Sequence, residues 1–153
     1  MKVFPEFSGP MVDWPEVAAA PYAAQVLAEL HPHCILALAT NARDSREDQI
    51  WSALERACLS VHLDKVYCYQ NIGQLKPARQ FYEYILMDLQ LPAEQVIMVG
   101  DDWQADVLGA NQASLRAIWL NTHDAEQRSG PQFQTIHTLA GLIEALRLWN
   151  LLT

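Results

Sequence analysis

The chain has 153 residues, 51% apolar and 18% charged, the size and balance of one soluble globular domain (1–153) with a single core. Its formal net charge of −8 repels phosphate backbones, so nucleic acid is not an expected partner. No stretch approaches the roughly 18 to 20 apolar residues of a membrane span, and the N-terminus lacks the basic region, apolar core and small-residue cleavage site of a secretory signal. A cytoplasmic protein with no membrane partner is expected. Cys34, Cys58 and Cys68 show no C-x-x-C spacing and suit a reducing compartment; Cys34 and Cys68 lie in apolar or aromatic runs and read as buried thiols.

Residues 2–7 read as a short first strand, edge-like or bulged at Pro5. Residues 21–30 suit a helix with proline at its first position and Val26, Leu27 and Leu30 turned inward. His31, Pro32 and His33 form a turn before a second strand over 34–40. Over 45–59, Ile50, Trp51, Leu54, Ala57 and Cys58 recur at helical spacing. Residues 65–69 give the third strand, and 77–89 a helix with Phe81, Ile85 and Leu89 on one face. Residues 96–99 have the length and type of a strand buried on both faces. Gly100 then permits a tight turn into a helix that runs through about Ala113. Residues 116–120 supply the fifth strand, and 121–134, polar with Gly130-Pro131, read as a surface loop. Thr138 caps a closing helix to Trp149 with Leu139, Leu142, Ile143, Leu146 and Trp149 on one stripe. Strands alternating with helices imply an α/β fold, a doubly wound, mostly parallel five-stranded sheet with right-handed crossovers.

Polar signals fall at strand ends and helix starts, where ligands bind in open parallel sheets. Thr40 and Asn41 follow the second strand, where a hydroxyl and backbone N–H groups can hold a phosphate oxygen. Lys76 stands with Pro77 before a helix, where a cation can neutralise a phosphoryl group. Asp101, Asp102 and Asp106 follow the fourth strand and suit a hard cation such as Mg²⁺. Each signal also has a structural use: Thr-Asn as a turn or cap, Lys-Pro as a solvated lysine, and the carboxylates as helix caps favouring the dipole.

Together these motifs resemble the haloacid dehalogenase (HAD) superfamily, whose members are mostly Mg²⁺-dependent phosphatases. Ala37 through Thr40 and Asn41 is similar to its second motif, Lys76 with Pro77 to its third, and Gly100, Asp101, Asp102 and Asp106 with Leu108, Gly109 and Ala110 to its fourth. The resemblance implies a sheet of order 5-4-1-2-3 with the first strand central. It disfavours a phospho-receiver, which would place its acidic pair after the first strand and its lysine after the fifth.

The first motif departs from the family's Asp-x-Asp-Gly-Thr. Glu6 stands at the nucleophile position and Ser8 at the acid–base position, while Gly9, Val12 and Asp13 fit. By resemblance the catalytic positions are Glu6, Ser8, Thr40, Lys76 and Asp101, with Thr40, Asn41 and Lys76 binding phosphate. The metal ligands would be Glu6, Asp101 and the backbone carbonyl of Ser8, with Asp106 in support and Asp102 as a further candidate. Glutamate displaces its carboxylate by on the order of 1 Å, worth roughly 100-fold in rate. Loss of general acid–base help costs about 10²- to 10⁴-fold. Pro10 also removes a backbone N–H that a threonine would retain.

The stretch between Asp13 and Pro21 has no room for a cap domain, and one helix and one strand fill the stretch between Asn41 and Lys76, so an open, cap-less site is expected. Trp14, Trp51 and Trp103 suit core packing or a partner-binding surface. The expected function is an impaired or inactive phosphatase serving as a binding or regulatory module, with weakly held Mg²⁺ and a small phosphorylated ligand or protein partner. The alternatives are an active phosphomonoester hydrolase using Glu6, and a structural protein whose acidic surface and tryptophans serve homo-oligomerisation.

Overall fold

Parallel strands alternate with helices in the computed structural model, which describes residues 9–152. The predicted first strand (2–7), Glu6 and Ser8 lie outside the described residues. The chain divides into two compact units, Met1–Gly73 and Gln74–Thr153.

In the first unit α1 (Ala23–Leu30), β1 (Ala37–Ala39), α2 (Glu47–Arg56), β2 (Lys65–Tyr67) and α3 (Tyr69–Ile72) follow one another. β1 and β2 pair in parallel from Ala37↔Lys65 to Ala39↔Tyr67. Ile50 and Leu54 of α2 are buried with Val66 and Cys68, and Leu38, Trp51, Leu59 and Leu63 close around them. Trp51 is therefore a packing residue. Glu47 and Asp48 in the first turn of α2 favour its dipole. At its far end Arg56 donates to the carbonyls of Val12 and Pro15, tying down the segment after the 3-10 turn Met11–Asp13. Among the described residues, that segment carries no inserted cap domain.

Several boundaries differ from expectation for local reasons. α1 begins at Ala23 rather than Pro21 because Tyr22 is left-handed (φ 66°) and breaks the helix there. β1 is shorter than 34–40, since the amides of His33 and Cys34 turn back to the carbonyl of Leu30. Cys34 is consequently exposed, not buried, whereas Cys68 is fully enclosed. β2 stops at Tyr67 because the Asn71 side chain accepts from the Cys68 N–H and donates to the Val66 carbonyl, taking backbone groups that would otherwise extend the ladder.

The second unit contains α4 (Arg79–Leu89), β3 (Ile97–Gly100), a π-helical turn (Trp103–Leu108) running into α5 (Gly109–Gln112), β4 (Arg116–Leu120), β5 (Phe133–Ile136) and α6 (Leu142–Leu148). Its sheet runs β3-β4-β5, all parallel. Phe81, Tyr82, Val107, Ala110, Leu115, Ala117, Ile118, Leu142 and Ile143 form buried ground on these elements. β3 is half-buried, not buried on both faces; among the described residues it pairs along one edge only. Thr138 caps the last helical segment as expected, its hydroxyl accepting from the Ala140 N–H.

The pairings expected between the second and third and between the fourth and fifth predicted strands are present as β1–β2 and β3–β4. The full order 5-4-1-2-3 runs through the first strand and so lies outside the described residues. One of the five strands among the described residues, β5, was not placed from the sequence: it begins at Phe133, inside the expected surface loop (121–134), and runs to Ile136. Its polar residues hid it: the Thr135 hydroxyl donates to the Arg128 carbonyl and accepts from the Arg128 N–H, and the Gln134 amide donates to the Ala145 carbonyl. Local satisfaction lets polar side chains occupy a sheet. Among the described residues no helix is long and apolar enough to cross a membrane.

The connection from β4 to β5 is organised by Asn121, only 2% exposed. Its amide donates to the Asp124 carboxylate and the Glu126 carbonyl, and its oxygen accepts from the His123 N–H. These bonds, with one from the Glu126 N–H, hold the Asp124 carboxyl below its usual range. Asn121→Ala is expected to lower stability by about 1–3 kcal/mol, the cost of orphaned polar partners. Urea unfolding measures the loss, and hydrogen exchange should rise first over 121–128.

Candidate functional site

β3 carries the chain to Asp101 at its carboxyl end, and the next five residues assign different tasks to three carboxylates. The Asp102 carboxylate accepts from the Ala105 N–H at 2.8 Å and caps the π-helical turn. That turn brings Asp106, 3% exposed, back beneath β3. One Asp106 oxygen accepts from the Asp102 N–H at 3.0 Å; the other meets the Lys76 ammonium at 2.7 Å. The lysine and aspartate side chains are 9% and 5% exposed, so the ion pair is nearly dry. Asp101 contributes its backbone carbonyl as acceptor for the Trp119 indole N–H at 3.1 Å, which ties the strand end to β4.

Gly100 makes this arrangement possible by what it lacks. A Cβ there would stand 2.0 Å from an Asp106 carboxylate oxygen. The glycine serves close approach of a side chain, not the tight turn expected from sequence. Gly109 serves the same end one turn later, where a Cβ would come within 2.9 Å of the Pro77 backbone. The residue bonded to Lys76 therefore packs directly on α5, and a cis peptide joins the two. Tyr82 closes the underside, its hydroxyl donating to the Ala105 carbonyl. Burial, then the neighbouring Asp106 and Asp102 carboxylates, push its phenol far above the usual range, so it remains a neutral donor.

Lys76, Asp101, Asp102 and Asp106 are thus assembled as one constellation within the second unit. Thr40 and Asn41 belong to the first unit, directly after β1. There the Thr40 N–H donates to the Tyr67 carbonyl, and its hydroxyl accepts from the Ala42 N–H at 3.2 Å, forming a turn. Glu6 and Ser8 lie outside the described residues. Tyr82, Trp119 and the steric role of Gly109 were not anticipated. Tyr82 had a legible signal, a hydroxyl three residues from Ile85 on an apolar helix face, which requires a buried partner.

Among the described residues no three His, Cys, Asp or Glu side chains group to hold a metal. Both oxygens of Asp106 are engaged, which suits it to support rather than direct ligation. Asp101 offers a hard carboxylate oxygen at the strand end, the donor chemistry Mg²⁺ requires.

Comparison with known proteins defines the class. The fold matches an uncharacterized protein from Listeria monocytogenes with TM-score 0.79 and 25% identity, covering 94% of this chain and 87% of that one. It also matches the magnesium-bound HAD-hydrolase YfnB of Bacillus subtilis with TM-score 0.72 and 22% identity, over 84% of this chain and 55% of that one. A ribulose-1,5-bisphosphate 5-phosphatase from Halopiger xanaduensis is 33% identical over 136 residues, covering 84% of this chain and 56% of the relative. The haloacid dehalogenase-like hydrolase model matches residues 2–120, and the chain belongs to that family. It spans 35% to 56% of the length of the first curated relatives it matches.

Removing one partner of a buried ion pair leaves the other uncompensated. Lys76→Met or Asp106→Leu alone is therefore expected to cost roughly 3–5 kcal/mol, and the double variant to recover most of that loss. Gly100→Ala should resemble the single variants, because its Cβ displaces Asp106. Denaturant unfolding of wild type and the four variants checks the cycle.

Proposed function

We propose that this chain is a HAD-family phosphate-binding domain with impaired phosphohydrolase chemistry, acting in the cytoplasm as a binding or regulatory module. Its partner is a small phosphorylated ligand or a protein. One observation carries the reading: the Lys76–Asp106 pair is built and buried, while by the sequence resemblance Glu6 and Ser8 stand where the family's first motif has its two aspartates.

The retained and the altered parts do different work. Lys76, held in place by Asp106, supplies fixed positive charge for phosphate oxygens at no reorganisation cost. Thr40 and Asn41 would add a hydroxyl and backbone N–H groups. Glu6, Asp101 and the Ser8 carbonyl are hard oxygen donors that would hold Mg²⁺. When bound, that ion neutralises phosphate charge and orients the group. What Ser8 cannot do is protonate a leaving group as a carboxylic acid does, and Glu6 must reach phosphorus with an extra methylene. The two losses together reach roughly 10⁴- to 10⁶-fold if independent.

A second reading, active hydrolysis of phosphomonoesters through Glu6, is favoured by the phosphatase relatives. The two readings separate in one comparison of wild type with Glu6→Asp/Ser8→Asp. Impairment predicts a wild-type rate near background in Mg²⁺ and a kcat/KM at least about 100-fold higher in the double variant. Ordinary wild-type turnover of a phosphomonoester, abolished by Glu6→Ala, would establish the second reading instead.

A further inference from the structure

Beside the strand end lies an aromatic corner that the phosphate-binding reading does not use. The Trp103 and Trp119 indoles meet edge to face, 5.2 Å apart at 67°, and Phe133 packs against Trp103 at 5.3 Å. The Arg128 guanidinium lies over both indoles, 4.2 Å from the Trp103 ring and 5.0 Å from the Trp119 ring. This corner borders the candidate site directly. Trp119 donates to the Asp101 carbonyl, and Trp103 is two residues beyond Asp101.

The orientation of Arg128 limits what it can offer. Its Nε donates to the Glu126 carboxylate at 2.8 Å, and a terminal nitrogen also reaches that carboxylate at 2.8 Å. Those contacts engage the edge of the guanidinium, and both indole rings lie within 5.0 Å of its centre. The side chain nevertheless remains 36% exposed. The backbone of its loop is secured independently of the side chain's contact with Glu126. The Arg128 N–H and carbonyl are both bonded to the Thr135 hydroxyl, and Asn121 fixes the preceding turn. A partly exposed planar cation backed by two indoles, beside the strand end read above as a phosphate site, has the makings of a stacking platform.

We propose that Arg128, backed by Trp103 and Trp119, is the subsite for a flat aromatic ring carried by a phosphorylated ligand, a nucleobase being the obvious chemical type. The inference rests on the reading of Asp101 and Lys76 as the phosphate end of the same ligand. It makes Trp103 and Arg128 specificity residues, outside any bond-making step.

Calorimetry and tryptophan fluorescence with three probes test it on the whole chain: ribose 5-phosphate, adenosine 5′-monophosphate and adenosine. The first two differ only in the ring. Wild type should bind the nucleotide at least about fivefold more tightly than the sugar phosphate, the lower end of base-stacking strength. In Arg128→Lys, which keeps the charge and loses the plane, that ratio should fall to within about twofold of unity. Trp103→Leu should lower it likewise. A wild-type ratio near one, with ribose 5-phosphate bound, overturns the ring subsite and leaves the phosphate reading standing. A ratio that survives both substitutions also overturns it. Adenosine binding lost in Arg128→Lys, with ribose 5-phosphate silent, supports the subsite and removes the phosphate reading. Failure of all three probes removes both.

Discussion

An ammonium and a carboxylate buried 2.7 Å apart set the terms for everything around them. Neither charge could be left alone in so dry a place, because the desolvation of each is repaid only by good geometry and further hydrogen bonds. The Lys76–Asp106 pair meets that condition with the Asp102 N–H on the second carboxylate oxygen. Its geometry in turn dictates the backbone. Gly100 must lack a side chain for Asp106 to fit under β3, and Gly109 must lack one for Pro77 to lie against α5. Both glycines are constrained by what approaches them, with neither held at positive φ.

The three carboxylates after β3 are nearly identical in sequence and entirely different in role. Asp102 is spent on the backbone of the π-helical turn, and Asp106 on the lysine, so neither adds an uncompensated negative charge to the strand end. That division matters for binding an anion. Three unpartnered carboxylates would repel phosphate, whereas one carboxylate near a fixed ammonium can accommodate phosphate together with a cation. The π-helical turn makes the division possible by bringing Asp106 back within reach of the Asp102 N–H. Such turns are uncommon and recur at functional sites.

Much of this was legible in the order of elements. The run ending at Gly100, the lysine before Pro77 and the strand over 116–120 carry strong local signals, and the strands pair with the neighbours expected of them. What sequence obscured was governed by contacts distant in the chain or by local hydrogen bonding. Gln134 made the start of β5 look like a loop, because nothing in its identity announces that the Ala145 backbone satisfies it, as the Arg128 backbone satisfies Thr135. Asn71 ended β2 early, and Tyr22 shortened α1, each through one backbone choice that periodicity does not record. The separate duties of Asp102 and Asp106 were likewise invisible, since both suit capping and metal ligation equally well by type.

All partners of the Lys76–Asp106 pair described above lie between residues 76 and 109, within one unit of the chain. Asp106 compensates the buried ammonium from within the same unit. Losing Lys76 would strand Asp106 in a space with little water. On the proposed reading, this is the physical reason for phosphate binding to outlast impaired turnover: the buried pair is stabilised by the fold of its own unit.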